Sequence, residues 1–192
     1  NNDMKKKLKS LAIKLLYPLA RRLGFTHKSE LKPNNIYAKN SLLENFYTTV
    51  KQSSFDPKHI VDVGANHGSW TRLALTYFPE AHYTLLEPQH WLKDSIKDLL
   101  EENNKIEFHA VGAGAESGKF KFTIVDRDDS CSFIYSEEEA ISRGYQQLEV
   151  PIVTLNQLLK DTNKPIPDII KIDAEGLDLD VLRGASDFFG KT

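Results

Sequence analysis

Two short blocks of this 192-residue chain combine residue types that can do chemistry. The first is Asp62-Val63-Gly64-Ala65-Asn66-His67-Gly68. Its glycines admit backbone torsions and close approaches that a side chain would block. Free N–H groups at the start of a following helix can hold an anionic group, such as a ligand's carboxylate. Glu87 closes an apolar run about twenty residues further on. Its ionised carboxylate only accepts hydrogen bonds, which suits the two hydroxyls of a ribose. Strand, glycine loop, helix, strand and terminal acid together specify a nucleoside-containing ligand. Standing alone, Glu87 would read as a turn residue before Pro88.

The loop also narrows the nucleoside. A dinucleotide fingerprint places a second glycine where the backbone must approach a pyrophosphate. Asn66 holds that position here, which disfavours a nicotinamide-dependent oxidoreductase. No Lys-Ser/Thr pair follows, so the loop is not a Walker phosphate loop. Both absences favour S-adenosylmethionine, a nucleoside without phosphates. The expected cofactor contacts are Asp62, Gly64, Ala65, Asn66, Gly68 and Glu87, with Val111 at the end of the third strand.

The second block is Lys171-Ile172-Asp173-Ala174-Glu175-Gly176, at the end of another apolar run. In a doubly wound sheet the ligand crevice lies where strand order reverses. If this run neighbours the first strand, Asp173 and Glu175 reach the same crevice as Gly64–Gly68. There they would act as general base, or would hold a hard divalent cation. Capping is the competing role for Asp173, Glu175 and Asp178, because negative charge is favourable at a helix start. No other metal site is expected: six histidines lack ligand spacing, and Cys131 is the single cysteine. His67 reads as a solvated loop residue, Trp70 and Trp91 as packing residues, and Cys131 as unreactive.

The elements that must position these blocks follow from hydrophobic period and turn residues. Strands are expected at His59–Val63, His82–Glu87, Ile106–Val111 and Asp168–Ile172, with helices at Gly68–Tyr77 and Trp91–Leu100. Strand–helix alternation of this kind is the pattern of a parallel sheet covered on both faces. Residues 112–118 read as a glycine-rich turn into a half-exposed strand over Lys119–Val125. Asp126–Gln147 is polar and carries no clear pattern, Val150–Thr154 is extended, and Leu155–Lys160 is a short helix. A helix through Leu182 follows Gly176. The further strands that a doubly wound sheet usually adds are expected to lie outside this sequence.

Residues 1–57 form a preamble to the domain at 58–192. Apolar residues at Leu8, Leu11, Ala12, Leu15, Leu16, Leu19 and Leu23 follow helical spacing, with lysines and arginines largely opposite. Such a helix packs on the domain or a partner, or else lies on an anionic membrane surface. Lys14 interrupts the apolar core that a signal peptide needs. Residues 26–40 read as a linker, and Ser41 with Glu44 as a capping box before the next helix. The net charge of −2 lacks the basic signature of a nucleic-acid binder. One cysteine excludes an internal disulfide and fits a reducing compartment. A cytoplasmic location follows, peripheral on the inner membrane face if the basic helix meets lipid.

The series Ile60–Gly68, Leu86-Glu87-Pro88, Val153-Thr154-Leu155-Asn156, then Ile170–Gly176 through Val181-Leu182-Arg183-Gly184 resembles the FkbM family of methyltransferases. It spans roughly residues 58–186 in the family's order. The resemblance implies a Rossmann-like, class I, S-adenosylmethionine-dependent enzyme, commonly an O-methyltransferase. Members act on hydroxyls of natural products or of sugars in surface polysaccharides, so the expected partner is a small-molecule or glycan hydroxyl acceptor. Asp178 stands where the family usually has Glu, and Asn156 replaces a frequent Asp. The rival expectation is a non-catalytic module of the same fold, attached through Leu8–Leu23 to a membrane or glycan-assembly complex.

Overall fold

The computed structural model describes residues 39–125 and 130–192. The chain divides into two compact units, Asn1–Val50 and Lys51–Thr192. The helix expected over Leu8–Leu23 lies outside the described residues. Helix α1 (Lys39–Gln52) starts before Ser41, so Ser41 lies within the helix.

The second unit begins with β1 (His59–Val63), α2 (Ser69–Tyr77) and β2 (His82–Leu86). A 3-10 turn at His90–Ile96 then runs into α3 (Lys97–Glu102), and β3 (Ile106–His109) follows. One helix was expected over Trp91–Leu100. Instead the chain breaks at Ile96, beside Ser95, whose carbonyl accepts from Arg72 Nη2 at 3.0 Å. With β7 (Ile169–Ile172), these strands form a parallel sheet in the order β3-β2-β1-β7. Val63 lies opposite both Leu86 and Ile172, so the carboxyl ends of the three strands finish together. Every residue of β1 is buried. A strand covered on both faces reads as a continuous apolar run, which is why its bounds were legible. The order reverses between β1 and β7, the place where this α/β, Rossmann-like arrangement opens a crevice.

The opposite end of the sheet is closed by polar contacts. His59 is fully buried, and its Nδ1 donates to the Pro165 carbonyl at 2.9 Å. Its Nε2 then accepts from the Thr84 hydroxyl, also at 2.9 Å. Burial lowers the His59 pKa, so the ring stays neutral. The Asp168 carboxylate accepts from the N–H groups of Lys58 and His59 at 2.7 and 3.0 Å, tying the start of β7 to that of β1.

Between β3 and β7 the chain builds a second sheet, ordered β4-β6-β5. It comprises β4 (Gly112–Ala113), β5 (Gly118–Ile124) and β6 (Gln146–Val153). Strand β5 pairs antiparallel with β6 along its whole length, and β4 pairs parallel with the end of β6. The glycine-rich segment at 112 is therefore a strand before it is a turn. The polar connection between β5 and β6 contains α4 (Glu137–Arg143), whose start carries a complete capping box. Ser136 Oγ accepts from Glu139 N–H at 3.2 Å, and the Glu139 carboxylate accepts from Ser136 N–H at 3.0 Å. Helix α5 (Leu155–Asp161) is capped by the Thr154 hydroxyl, and α6 (Asp178–Arg183) follows β7. Val61, Val63, Leu86, Leu155, Val181 and Phe188 form the apolar cluster beneath the crevice.

Candidate active site

A cavity opens at the carboxyl ends of β1, β2 and β7. One wall is polar and comes from the parallel sheet: Gly64, Asn66, Glu87, Gln89, Asp173 and Glu175. The other comes from the second sheet and the segment that follows β5: Gly112, Ala113, Phe122, Cys131 and Phe133.

The loop after β1 turns through left-handed backbone at Gly64 (φ 73°), Asn66 (φ 47°) and Gly68 (φ 73°). A Cβ on Gly64 would stand 2.0 Å from the Asp173 carbonyl oxygen, so glycine is required by both torsion and contact. Gly64 and Ala65 donate their N–H groups to the Leu86 carbonyl at 2.9 and 3.0 Å. Asn66 N–H goes to Glu87 Oε2 at 2.8 Å, and His67 N–H to the Asn66 side chain at 2.7 Å. Gly68 N–H donates to the Ala65 carbonyl at 2.8 Å. The loop's donors therefore serve its own shape. What it offers a ligand is a fixed concave surface.

Glu87 is 3% exposed and sits one residue beyond β2. Its second oxygen accepts from Gln89 N–H at 3.0 Å. Burial raises its pKa, against the pull of the Gln89 and Asn66 N–H groups. Each carboxylate oxygen keeps lone-pair capacity beyond these bonds, so the group both shapes the loop and faces the cavity.

Asp62 behaves differently. It is fully buried, accepts from the Thr71 hydroxyl at 2.6 Å, and lies 3.1 Å from Lys171 Nζ. Burial raises its pKa, with Lys171 opposing the shift. Its carboxylate joins α2 and β7 to β1 beneath the cavity and is not part of the lining. Ala65 is buried within the loop. A Cβ on Gly68 would meet Ile96 Cγ2 at 2.9 Å, so that glycine lets α2 start against the segment before α3. Val111 packs on the apolar cluster, and its neighbours Gly112 and Ala113 line the cavity instead.

Asp173 and Glu175 both reach the lining. Asp173 N–H donates to the Val63 carbonyl at 3.1 Å, which holds the end of β7 against β1. Glu175 adopts φ 46°, a left-handed conformation that costs a non-glycine residue about 1–3 kcal/mol. Its carbonyl accepts from Phe133 N–H at 3.1 Å, which bridges the two walls. Asp178, the first residue of α6, accepts from Ala174 N–H at 3.2 Å and ties the preceding turn to the helix, whose start has no side-chain cap. Among the described residues no group of three or more His, Cys, Asp or Glu side chains is placed to hold a metal ion.

Sequence reasoning missed Gln89, Phe122, Cys131, Phe133 and Lys171. Their signal was faint: Cys131, Phe133, Ile134 and Tyr135 are an apolar cluster inside an otherwise polar stretch. His67, Trp70 and Trp91 stay outside the lining.

The profile of the methyltransferase FkbM domain matches residues 62–192, well over half of the chain and both chemical blocks. The chain belongs to the FkbM methyltransferase family. A relative named Methyltransferase 1, from Beauveria bassiana (strain ARSEF 2860), is 24% identical over 149 residues. The match takes in 69% of this chain and 60% of that relative, so this chain spans about 60% of its relative's length. Among solved structures, a precorrin-6y C5,15-methyltransferase from Geobacter metallireducens GS-15 aligns with a TM-score of 0.40 at 14% identity. That alignment covers 85% of this chain and 64% of the other. Among the described residues no helix is long and apolar enough to cross a membrane.

Proposed function

We propose that the cavity binds S-adenosylmethionine and that the protein transfers its methyl group to an acceptor hydroxyl, on a sugar or a natural product. The observation that carries this reading is the meeting of the Gly64–Asn66 loop, Glu87 and the Asp173–Glu175 turn around one cavity. The fit is chemical as well as spatial. A buried carboxylate at the end of β2 suits ribose hydroxyls, and the apolar wall opposite suits a flat or aliphatic group. Gly64, Asn66 and Glu87 would hold the nucleoside, with Gly112 and Ala113 closing its far side.

The bound donor supplies an activated methyl group on a positively charged sulfur. The protein's own task is to hold the acceptor oxygen in line with it, and much of the rate gain is positional. Asp173 is more than half exposed and lies at the cavity edge, where it can take a proton from an entering hydroxyl. Glu175, held in a strained backbone, presents a second carboxylate to the same space.

Calorimetry with S-adenosylmethionine tests the first step: saturable one-to-one binding is expected, and no binding would sink the reading. A screen of glycan and small-molecule hydroxyl acceptors with labelled donor then tests the second. Asp173→Asn and Glu175→Gln should each lower turnover, the true base by about 100-fold or more. Unchanged turnover in both variants would remove these residues from catalysis.

A further inference from the structure

We propose that Lys171 is a positioning residue for the donor, its ammonium group fixing the backbone of the Val63–Gly64 turn in the shape that binds S-adenosylmethionine. This rests on the methyltransferase reading above. Parallel register sets Lys171 on β7 opposite Asp62 on β1, so both side chains stand on the same face of the sheet. From there the side chain, 15% exposed, reaches past the end of β1. Nζ donates to the Gly64 carbonyl at 2.7 Å and to the Val63 carbonyl at 3.1 Å. Asp62 Oδ1 is also 3.1 Å away, and Asp173 Oδ2 is 3.7 Å away. Two of the ammonium's three protons serve the two carbonyl oxygens, and Asp62 Oδ1 is held as an ion pair.

The loop is thus held from two strands by opposite chemistry. Its N–H groups are tied to β2 through the Leu86 carbonyl and, just beyond it, the Glu87 carboxylate. Its carbonyl groups are tied to β7 through one cation. Gly64 has the freedom to turn elsewhere, so its torsion is set by these partners and not by its own sterics. The same ammonium stands beside Asp173, which places one charge between the donor loop and the proposed base.

Lys171→Met keeps the aliphatic stem but leaves the buried Asp62 carboxylate without its cation, so stability will fall along with any loss of positioning. Thr71→Val separates the two effects. It removes the Thr71 hydroxyl's hydrogen bond to Asp62 and leaves the loop carbonyl groups untouched. The experiment is calorimetry with S-adenosylmethionine on the wild type, Lys171→Met, Lys171→Arg and Thr71→Val, each at a temperature where its melt shows it folded. Lys171→Met should weaken binding about tenfold or more, and Lys171→Arg, which keeps charge and donors, should recover part of it. Thr71→Val should melt earlier yet bind as the wild type does. If Lys171→Met does not fold, Lys171→Arg binding severalfold more weakly than Thr71→Val supports the proposal, and equal binding overturns it. Lys171→Met within roughly twofold of wild type overturns it too, as does an equal affinity loss in Thr71→Val. Wild type that binds no donor overturns the methyltransferase reading and this inference together. Normal wild-type binding, unmoved by substitution at Lys171, overturns this inference alone.

Discussion

The two sheets that wall the cavity stabilise themselves in different ways, and the ligand surfaces they present differ accordingly. The parallel sheet buries β1 completely and most of β2, together with the ionisable groups His59, Asp62 and Glu87. Each of those groups is paired, because an unpaired polar group in such a place costs more than it returns. The second sheet keeps its charged residues Lys119, Lys121 and Glu149 exposed and turns Phe122, Val150 and Ile152 inward. One wall therefore orients a ligand through fixed polar groups. The other excludes water and sets shape.

Matched glycine substitutions give the largest contrast. Gly64→Ala forces a Cβ onto the Asp173 backbone oxygen at a left-handed torsion, with no flexible atom to yield. It should cost about 3 kcal/mol in urea unfolding and abolish donor binding. Gly112→Ala meets the tip of the Ile152 side chain at 2.5 Å, which can shift. Its cost should stay near 1–2 kcal/mol, with binding weakened but present. Equal costs would erase the distinction between a rigid and a yielding wall.

Glu87→Gln comes next. A neutral amide cannot accept from both the Asn66 and Gln89 N–H groups as the carboxylate does. A loss of roughly 1–3 kcal/mol in donor affinity is expected by calorimetry.

The pH dependence differs in sign within the parallel sheet itself. His59 has a lowered pKa, so its contribution to stability is complete above the ordinary value of about 6.5 and is lost as pH falls below it. Asp62 and Glu87 have raised values, so their contributions are complete at low pH and are lost as pH rises through those raised values. Urea midpoints of wild type minus His59→Gln isolate the first effect: the difference should shrink from pH 7.5 to 5. A flat difference would mean that the histidine is not buried as a neutral ring.

The smallest effect belongs to the second region. Ser136→Ala removes half of the α4 capping box and should cost about 1 kcal/mol in a thermal melt, leaving donor affinity unchanged.

The same contrast explains what was legible. His59–Val63 was bounded correctly from sequence, and His82–Leu86 within one residue, because strands buried on both faces are continuous apolar runs between turn residues. In the second sheet β5 was expected over Lys119–Val125, within one residue at each end, but of β6 only the part from Val150 onward was expected. Its first half, Gln146-Gln147-Leu148-Glu149, is polar and becomes a strand by pairing with β5. Helix α4 was missed although Ser136 and Glu139 carry the capping box, because the short stretch has little apolar period to accompany it.

By themselves, residues 60–68, 86–88 and 170–176 determined the family, the turn at the end of β1 and the expectation of a nucleoside site. Residue type and spacing suffice for those, since a glycine permits a sharp turn and an apolar run signals burial wherever the chain later meets itself. Tertiary structure alone decided that Asp62 serves the fold beneath the cavity and that Glu87 shapes the loop it was expected to accompany. It also decided that Phe133 and Cys131 complete the opposite wall and that one lysine on β7 gathers the carbonyl groups of the turn. Each of these depends on which distant segments meet, and pairing register and burial set that, not the spacing of residue types along the chain.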